Sequence, residues 1–459
     1  MGIETFDQIE ELFRLSGVDR IYSKVLAPNQ DNEKNQIYLG SGGGINSIAN
    51  CFPGVVNYRS PSTSKKKRGS DVGKPKIELL LNFIWFSSDG KRRPAPEAKI
   101  INYFQFPEAR FSGFLKRCEM PPDALRRKRQ DLYGKRILLM GSNDLGETFG
   151  LVVTEKDDPV TSSMPEFPIS SMFPVLGEHV IGERTGRSPK DLLVSELNSI
   201  FGRWHPSISL AGHKGEPIPF RGNQGAGFTL EALLKIPRNS SKAPDKHGFE
   251  LKSYKQGGKI SLMTPTADRG VEGALSFKEF MAEFGWQGSR HCDRTVFNGT
   301  YKYKTPKKTA RGHTHSLETM GFNTSHDSFD LELIEPLVGL VNPDTSQLIS
   351  GWSFDKLLRG WSCKHSSACY VEYEKRPYSG LGSLHDAEYR FTGQIFVCEG
   401  TNIWNYLQAI VAKTVYYDPA HEILSTGASK QRPQWRISVN QSFKNTLRTL
   451  YDRVEELNP

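Results

Sequence analysis

The run Phe249-Glu250-Leu251-Lys252, set shortly after Pro244-Asp245, constrains this chain more than any other stretch. In a strand, successive side chains point to opposite faces. Phe249 and Leu251 can then enter a core while Glu250 and Lys252 project together from the other side. Asp245 and Glu250 are two carboxylates on a short length of chain, and they repel unless a cation lies between them. A hard divalent cation bound through oxygen is the usual solution, and such cations also take backbone carbonyls, which makes Leu251 a further candidate ligand. A lysine on the same face can stabilise an anionic transition state or activate the attacking water. Taken alone, the spacing is common. Pro-Asp is a frequent turn pair, and Glu-x-Lys also suits a solvent-facing strand edge.

Upstream lies Asn223-Gln224-Gly225-Ala226-Gly227-Phe228-Thr229-Leu230-Glu231-Ala232-Leu233-Leu234. It reads as a glycine-rich turn entering a short helix. Glu231 falls in the first turn of that expected helix, where the helix dipole favours an acid without any catalytic role. Together with Gly248-Phe249-Glu250-Leu251-Lys252-Ser253, these residues resemble the core of the MvaI/BcnI restriction endonuclease family. The resemblance covers residues 188–459 and is sharpest over 221–254. It implies a PD-(D/E)xK nuclease fold related to the mismatch-repair nicking enzyme MutH, dependent on Mg2+ with Mn2+ able to replace it. It assigns Asp245 and Glu250 to the metal, brings Glu231 into the metal site, and gives Lys252 the attacking water and the pentavalent phosphate. It also implies a double-stranded DNA substrate with a short CC–GG site around one central base pair. A monomer nicking each strand in turn and a companion DNA methyltransferase follow from the same likeness. Three other readings stay open: a mismatch- or methylation-sensing nicking enzyme, a DNA-binding protein with an inactive nuclease core, and an interaction scaffold.

Composition is compatible with this. The 459 residues are 37% hydrophobic and 24% charged, an ordinary globular balance. No apolar run approaches the ~18 residues that span a bilayer, and the N-terminus is acidic and amphipathic, unlike a signal peptide. Six cysteines in so long a chain do not make a disulfide framework, so a reducing cytoplasm is expected. The net charge of +9 suits a phosphate-backbone partner. Basic runs at Lys65–Arg68, Arg126–Arg129 and Lys302–Arg311 carry much of it, though such runs are also common on solvated surfaces.

The expected class is α/β (α+β). A mainly β domain spans 1–156, a proline-rich linker 157–186, and a nuclease domain with a central mixed sheet flanked by helices 187–459. The first domain opens with a helix over 4–16, whose stripe is Phe6, Ile9, Leu12, Phe13 and Leu15. Strands are expected over 20–26, 36–39, 78–86, 99–106, 136–140 and 148–154, with a basic helix over 122–132. In the second, a helix follows Ser188-Pro189. A hairpin partner over 259–264 is expected across Gln256-Gly257-Gly258. Helices are expected over 277–284, 401–413 and 442–457, and strands near 329–334, 368–374, 388–397 and 434–439.

DNA contacts are expected from Lys304, Lys307, Lys308, Arg311, His313 and His315, where bases alternate with aromatics. Lysines meet phosphate, and Arg and His donate to guanine edges. A mobile surface loop would have the same composition. Near the last strand Arg436 alternates with Trp435, so one enters the core and the other faces DNA; Arg432 and Gln434 lie close by. His313-Thr314-His315 and the set Cys363, His365, Cys369 invite a metal, but neither completes a zinc site. In the first domain Lys24, Asn29, Lys34, Arg92, Arg93 and Arg110 suit either a second DNA surface, as an effector site or for affinity alone, or ordinary polar loops.

Overall fold

A computed structural model describes residues 2–27, 36–41, 48, 51–52, 54–59, 76–103, 108–126, 132–143, 145–156, 158–170, 175–181, 189–211, 215–238, 245–289, 292–323, 328–329, 336–365, 367–378, 380 and 385–458. The chain divides into two compact units, Met1–Gly186 and Arg187–Pro459.

The first unit is built on a ten-stranded sheet. Its main path runs from Gly177–Val180 through Arg20–Leu26, Arg136–Ser142, Glu147–Thr154, Lys76–Phe86, Lys99–Tyr103 and Glu108–Ser112 to Gln36–Ser41. The strand Gly54–Arg59, absent from the sequence reading, pairs with Lys76–Phe86. The helix Phe6–Leu15 starts in a capping box between Thr5 and Gln8. It buries Phe6, Ile9 and Phe13, while Leu15 is 68% exposed, because two positions beyond Phe13 is the far side of a 3.6-residue turn. The basic helix expected over 122–132 is a single 3-10 turn, Asp123–Leu125, with Arg126 extended; 127–131 lie outside the described residues. Ala124 and Leu125 are buried there, and the arginine-rich run beyond offers no apolar stripe. The stretch expected as a linker is folded into this unit. Val160 is buried, Phe167 meets Phe6 edge-on at 5.6 Å, and Gly177–Val180 pairs with Arg20–Ser23. Its prolines leave this proline-free segment to serve as an edge strand.

The second unit holds the elements used below: α1 (Pro189–Asn198), α2 (Gly225–Leu233), β1 (Glu250–Tyr254), β2 (Lys259–Met263), α3 (Phe277–Phe284), α4 (Phe354–His365), β3 (Ser367–Pro377), β4 (Ala387–Glu399), β5 (Trp435–Ser438), α5 (Phe443–Arg448) and β6 (Arg453–Leu457). One five-stranded sheet runs Trp204–Pro206, β4, β3, β1, with β6 also paired to β4. The β1–β3 pair is parallel and the rest antiparallel. On one face α1 and α2 bring Leu193, Leu197, Ala226 and Leu230 onto Phe249, Leu251, Cys369, Val371 and Phe391. On the other, Phe443 of α5 packs against Tyr254, Tyr370 and Phe396.

Two expectations fail here. β2 does not form a hairpin with β1; it pairs with β5 in a separate sheet. The turn at Lys255–Gly258 bonds across to Val439 beside β5, and the side of β1 facing away from β3 is met by Asp245 instead. The helix expected over 442–457 stops at Arg448, and Arg453–Leu457 becomes β6, drawn onto the edge of β4 with Ile395 opposite Leu457. By contrast Ser276 and Asn402 cap helices where the sequence places them, at Phe277–Phe284 and Ile403–Val411. Of the strand expected near 329–334, only Ser328–Phe329 is described. Among the described residues no helix is long and apolar enough to cross a membrane.

Candidate active site

The site begins with a tight turn. Lys246 and Phe249 exchange two backbone hydrogen bonds, 3.1 and 2.8 Å. His247 and Gly248 between them have φ of 47° and 78°. Two central residues with positive φ make the type I′ turn that reverses a strand with the least splaying. The reversal brings Asp245 alongside β1, where its Oδ2 accepts the Leu251 N–H at 2.9 Å. That N–H points away from β3. In a parallel ladder the N–H and C=O of one residue face the same side, so the Leu251 carbonyl faces Asp245's side as well.

Glu250 and Lys252 project from the opposite face to Phe249 and Leu251, as the alternation requires. Glu250 is 2% exposed, and Lys252 Nζ donates to its Oε1 at 2.6 Å. A carboxylate this deep demands a cation and hydrogen bonds, and the lysine supplies both. Tyr370, in register with Lys252 on β3, is also buried. Burial, with Cys398 nearby, holds its phenol well above the usual range, so it stays neutral. The candidate ligands, the Asp245 and Glu250 carboxylates and the Leu251 carbonyl, all offer oxygen, the donor a hard cation takes. Among the described residues no group of three or more His, Cys, Asp or Glu is gathered at metal-binding spacing, so Glu231 is not drawn into one cluster with Asp245 and Glu250. It sits on α2, which covers the Leu251 face. A Cβ on Gly227 would lie 3.8 Å from Ser253 Oγ, and Lys246 Nζ reaches the Leu234 carbonyl at 3.3 Å. So α2 runs antiparallel to β1, and Glu231 lies toward the end nearest the turn.

The residues expected to meet DNA divide into two groups. Lys304, Lys307 and Lys308 are exposed, with Lys304 Nζ 5.4 Å from the Tyr303 ring and Lys307 Nζ 5.7 Å from the Tyr301 ring. Arg311 is partly spent at home: its guanidinium donates to the Ala282 and Gly285 carbonyls, 2.7 Å each, at the C-terminal end of α3. His315 is 0% exposed and packs among Phe284, Phe297, Tyr301 and His313. Burial, with His313 adding to it, pushes its pKa down to about 4. It is a neutral core residue and corrects the expectation of a DNA contact; His313 stacks on it, half-buried. Trp435 is core and Arg436 takes the other face, where it donates to Ser261 Oγ at 3.1 Å and Asp418 at 2.9 Å. Lys259 shares Asp418 at 3.0 Å, a convergence that sequence reasoning missed because Asp418 lies 159 positions from Lys259 and Arg436 lies 175 from Ser261.

His365 is committed to the Leu262 carbonyl, 2.8 Å, and the Tyr451 hydroxyl, 3.3 Å. Cys369 is buried in the core, and the Cys363 side chain lies outside the described residues. In the first unit Lys24 lies over Tyr38, Arg92 bonds Ser16 Oγ at 3.1 Å, and Arg110 bonds Glu108 at 2.8 Å; Asn29 and Lys34 lie outside the described residues.

Among solved structures, restriction endonuclease MvaI in complex with cognate DNA is similar over 58% of this chain and 97% of that one, with 16% identity and a TM-score of 0.44. MvaI without DNA is similar over 60% and 99%, with 14% identity and a TM-score of 0.32. No curated protein sequence matches the chain. The sequence pattern of one family matches residues 196–450, more than half of the chain and the whole of the turn, β1 and α2. This protein therefore belongs to the MvaI/BcnI restriction endonuclease family.

Proposed function

We propose that the chain is a Type II restriction endonuclease with a PD-(D/E)xK core of MutH type, hydrolysing both strands of DNA at a short CC–GG-like site with Mg2+. The observation that carries this reading is the pairing on β1: Asp245 bonded to the Leu251 N–H and Lys252 bonded to buried Glu250. Asp245, Glu250 and the Leu251 carbonyl would hold the ion, with Glu231 on the neighbouring α2 outside that set. The ion, when bound, supplies Lewis-acid polarisation of the phosphate and lowers the pKa of the attacking water. Lys252 lies on the Glu250 face, where it orients that water and meets the negative charge gathering on the phosphoryl oxygens. Water oxygen bonds to phosphorus as the bond to the 3′ oxygen breaks, leaving a 3′-hydroxyl and a 5′-phosphate. Lys304, Lys307, Lys308 and His313, with Arg311 and Arg436 where their internal partners release them, form the DNA-facing set. One site per chain fits a monomer that nicks each strand in turn, and a companion methyltransferase would protect the host. The first unit adds DNA affinity or an effector site.

Plasmid digestion tests the reading. Wild type with Mg2+ gives discrete fragments, and end sequencing gives the target and stagger. Asp245→Ala gives none while still shifting DNA, and a chelator abolishes cutting by wild type. Intact plasmid after incubation of wild type with Mg2+ or Mn2+ would overturn it.

A further inference from the structure

The turn that presents Asp245 is held from two directions. Glu196 on α1 accepts Lys246 Nζ at 3.1 Å on one oxygen and His247 Nε2 at 2.8 Å on the other. Lys246 Nζ also donates to the Leu234 carbonyl, just past the end of α2, at 3.3 Å. Glu196 is itself fixed, because its helix neighbours Leu193 and Leu197 are fully buried in the core beneath. Three separate segments thus meet at one ammonium and one carboxylate: α1, the end of the helix bearing Glu231, and the turn bearing Asp245. His247 occupies left-handed backbone, which a histidine adopts far less readily than glycine, and its bond to Glu196 offsets that cost.

We propose that Glu196, Lys246 and His247 form a positioning clamp for the metal carboxylate Asp245. None of the three touches the reacting atoms. A two-residue turn with positive φ at both positions is stiff, so it moves as a piece and takes Asp245 with it. The bond from the Leu251 N–H fixes one carboxylate oxygen; the clamp fixes the backbone from which that carboxylate hangs. It also keeps the end of α2, and with it Glu231, in register with the turn. Such outer residues ordinarily govern metal affinity as strongly as they govern activity. This inference rests on the reading that Asp245 and Glu250 hold the ion.

The test uses the full chain without DNA. Free Mn2+ is measured by electron paramagnetic resonance as metal is titrated into wild type, Glu196→Ala, Glu196→Gln and Asp245→Ala, and the Mg2+ dependence of cleavage is recorded in parallel. In Glu196→Ala, Mn2+ binding weakens and the Mg2+ concentration for half-maximal cleavage rises, each by about tenfold. DNA affinity in Ca2+ holds, and cleavage at saturating Mg2+ largely recovers. Glu196→Gln keeps an oxygen that can accept from Lys246 or His247, and it regains most of the loss. An ordinary surface ion pair predicts a lowered melting temperature and unchanged metal affinity, and that result in Glu196→Ala overturns the clamp. If Glu196→Ala does not fold, His247→Asn carries the same comparison, since asparagine suits the left-handed backbone. Unchanged Mn2+ binding in Asp245→Ala would overturn the metal reading itself. Loss in Asp245→Ala with none in the Glu196 and His247 variants would overturn the clamp alone.

Discussion

Replacing Lys252 with methionine removes the ammonium that Glu250 holds at 2.6 Å. The expected result in single-turnover cleavage is a fall in rate of about 10²–10³-fold, the usual cost of losing one group aimed at transition-state charge. DNA affinity in Ca2+ should be little changed. His315 gives a pH prediction of the opposite kind, structural and independent of DNA. Its folded-state pKa of about 4 lies below the ordinary 6.5, so between those values the unfolded chain binds the proton and the folded chain does not. Its contribution is therefore intact above pH 6.5 and is lost as pH falls toward 4, a change on the order of 3 kcal/mol. Thermal melts across that window should fall less steeply for His315→Phe than for wild type. The two residues differ in how visible they are in sequence. Lys252 is legible because alternation with Phe249 and Leu251 is a local property. His315 carries the same letters as an exposed basic loop, and only the arrival of Phe284 and Phe297 from other elements makes it core.

At the scale of elements, α2 is seated by a glycine. A Cβ on Gly225 would lie 2.3 Å from the Tyr389 hydroxyl and 2.8 Å from Ser207 Oγ. Gly225→Ala should therefore cost about 1–3 kcal/mol, the range for overpacking, measured by denaturant unfolding, and should displace the helix that bears Glu231. The helices Phe277–Phe284 and Ile403–Val411 were legible in the sequence, and the structure shows Ser276 and Asn402 capping them. Strand partners were not. β2 follows β1 after a glycine turn, which reads as a hairpin, yet it pairs with β5, and nothing within the turn distinguishes the two outcomes. Residues 453–457 read as the tail of a helix because the unfilled edge of β4 that recruits them lies far back in the chain.

For the whole molecule, two units with separate cores imply two separable tasks. A chain limited to residues 187–459 should fold and cut DNA, with the loss confined to affinity or to stimulation by a second DNA copy, both readable in digestion assays with added oligonucleotide. The net charge of +9 implies strongly salt-dependent binding. Removing Lys307 or Lys308, where it meets phosphate, should lower the slope of log affinity against log salt by about 1, uniformly across target sequences. The chain alone points to the turn at Asp245 as the candidate site, and it says little of the role of the first 186 residues. Among the described residues, Arg92 is engaged with Ser16 and Arg110 with Glu108.

The bond between Asp245 and the Leu251 N–H has a consequence outside chemistry. β1 ends its sheet among the described residues, and a bare strand edge is a template on which another chain can add. Asp245 occupies one rung of that edge, so the same carboxylate proposed for the metal also stands where an added strand would bond. The two duties separate on substitution. Asp245→Asn keeps an oxygen for the Leu251 N–H and should be inert yet monodisperse in light scattering, whereas Asp245→Ala should be equally inert and slowly aggregate.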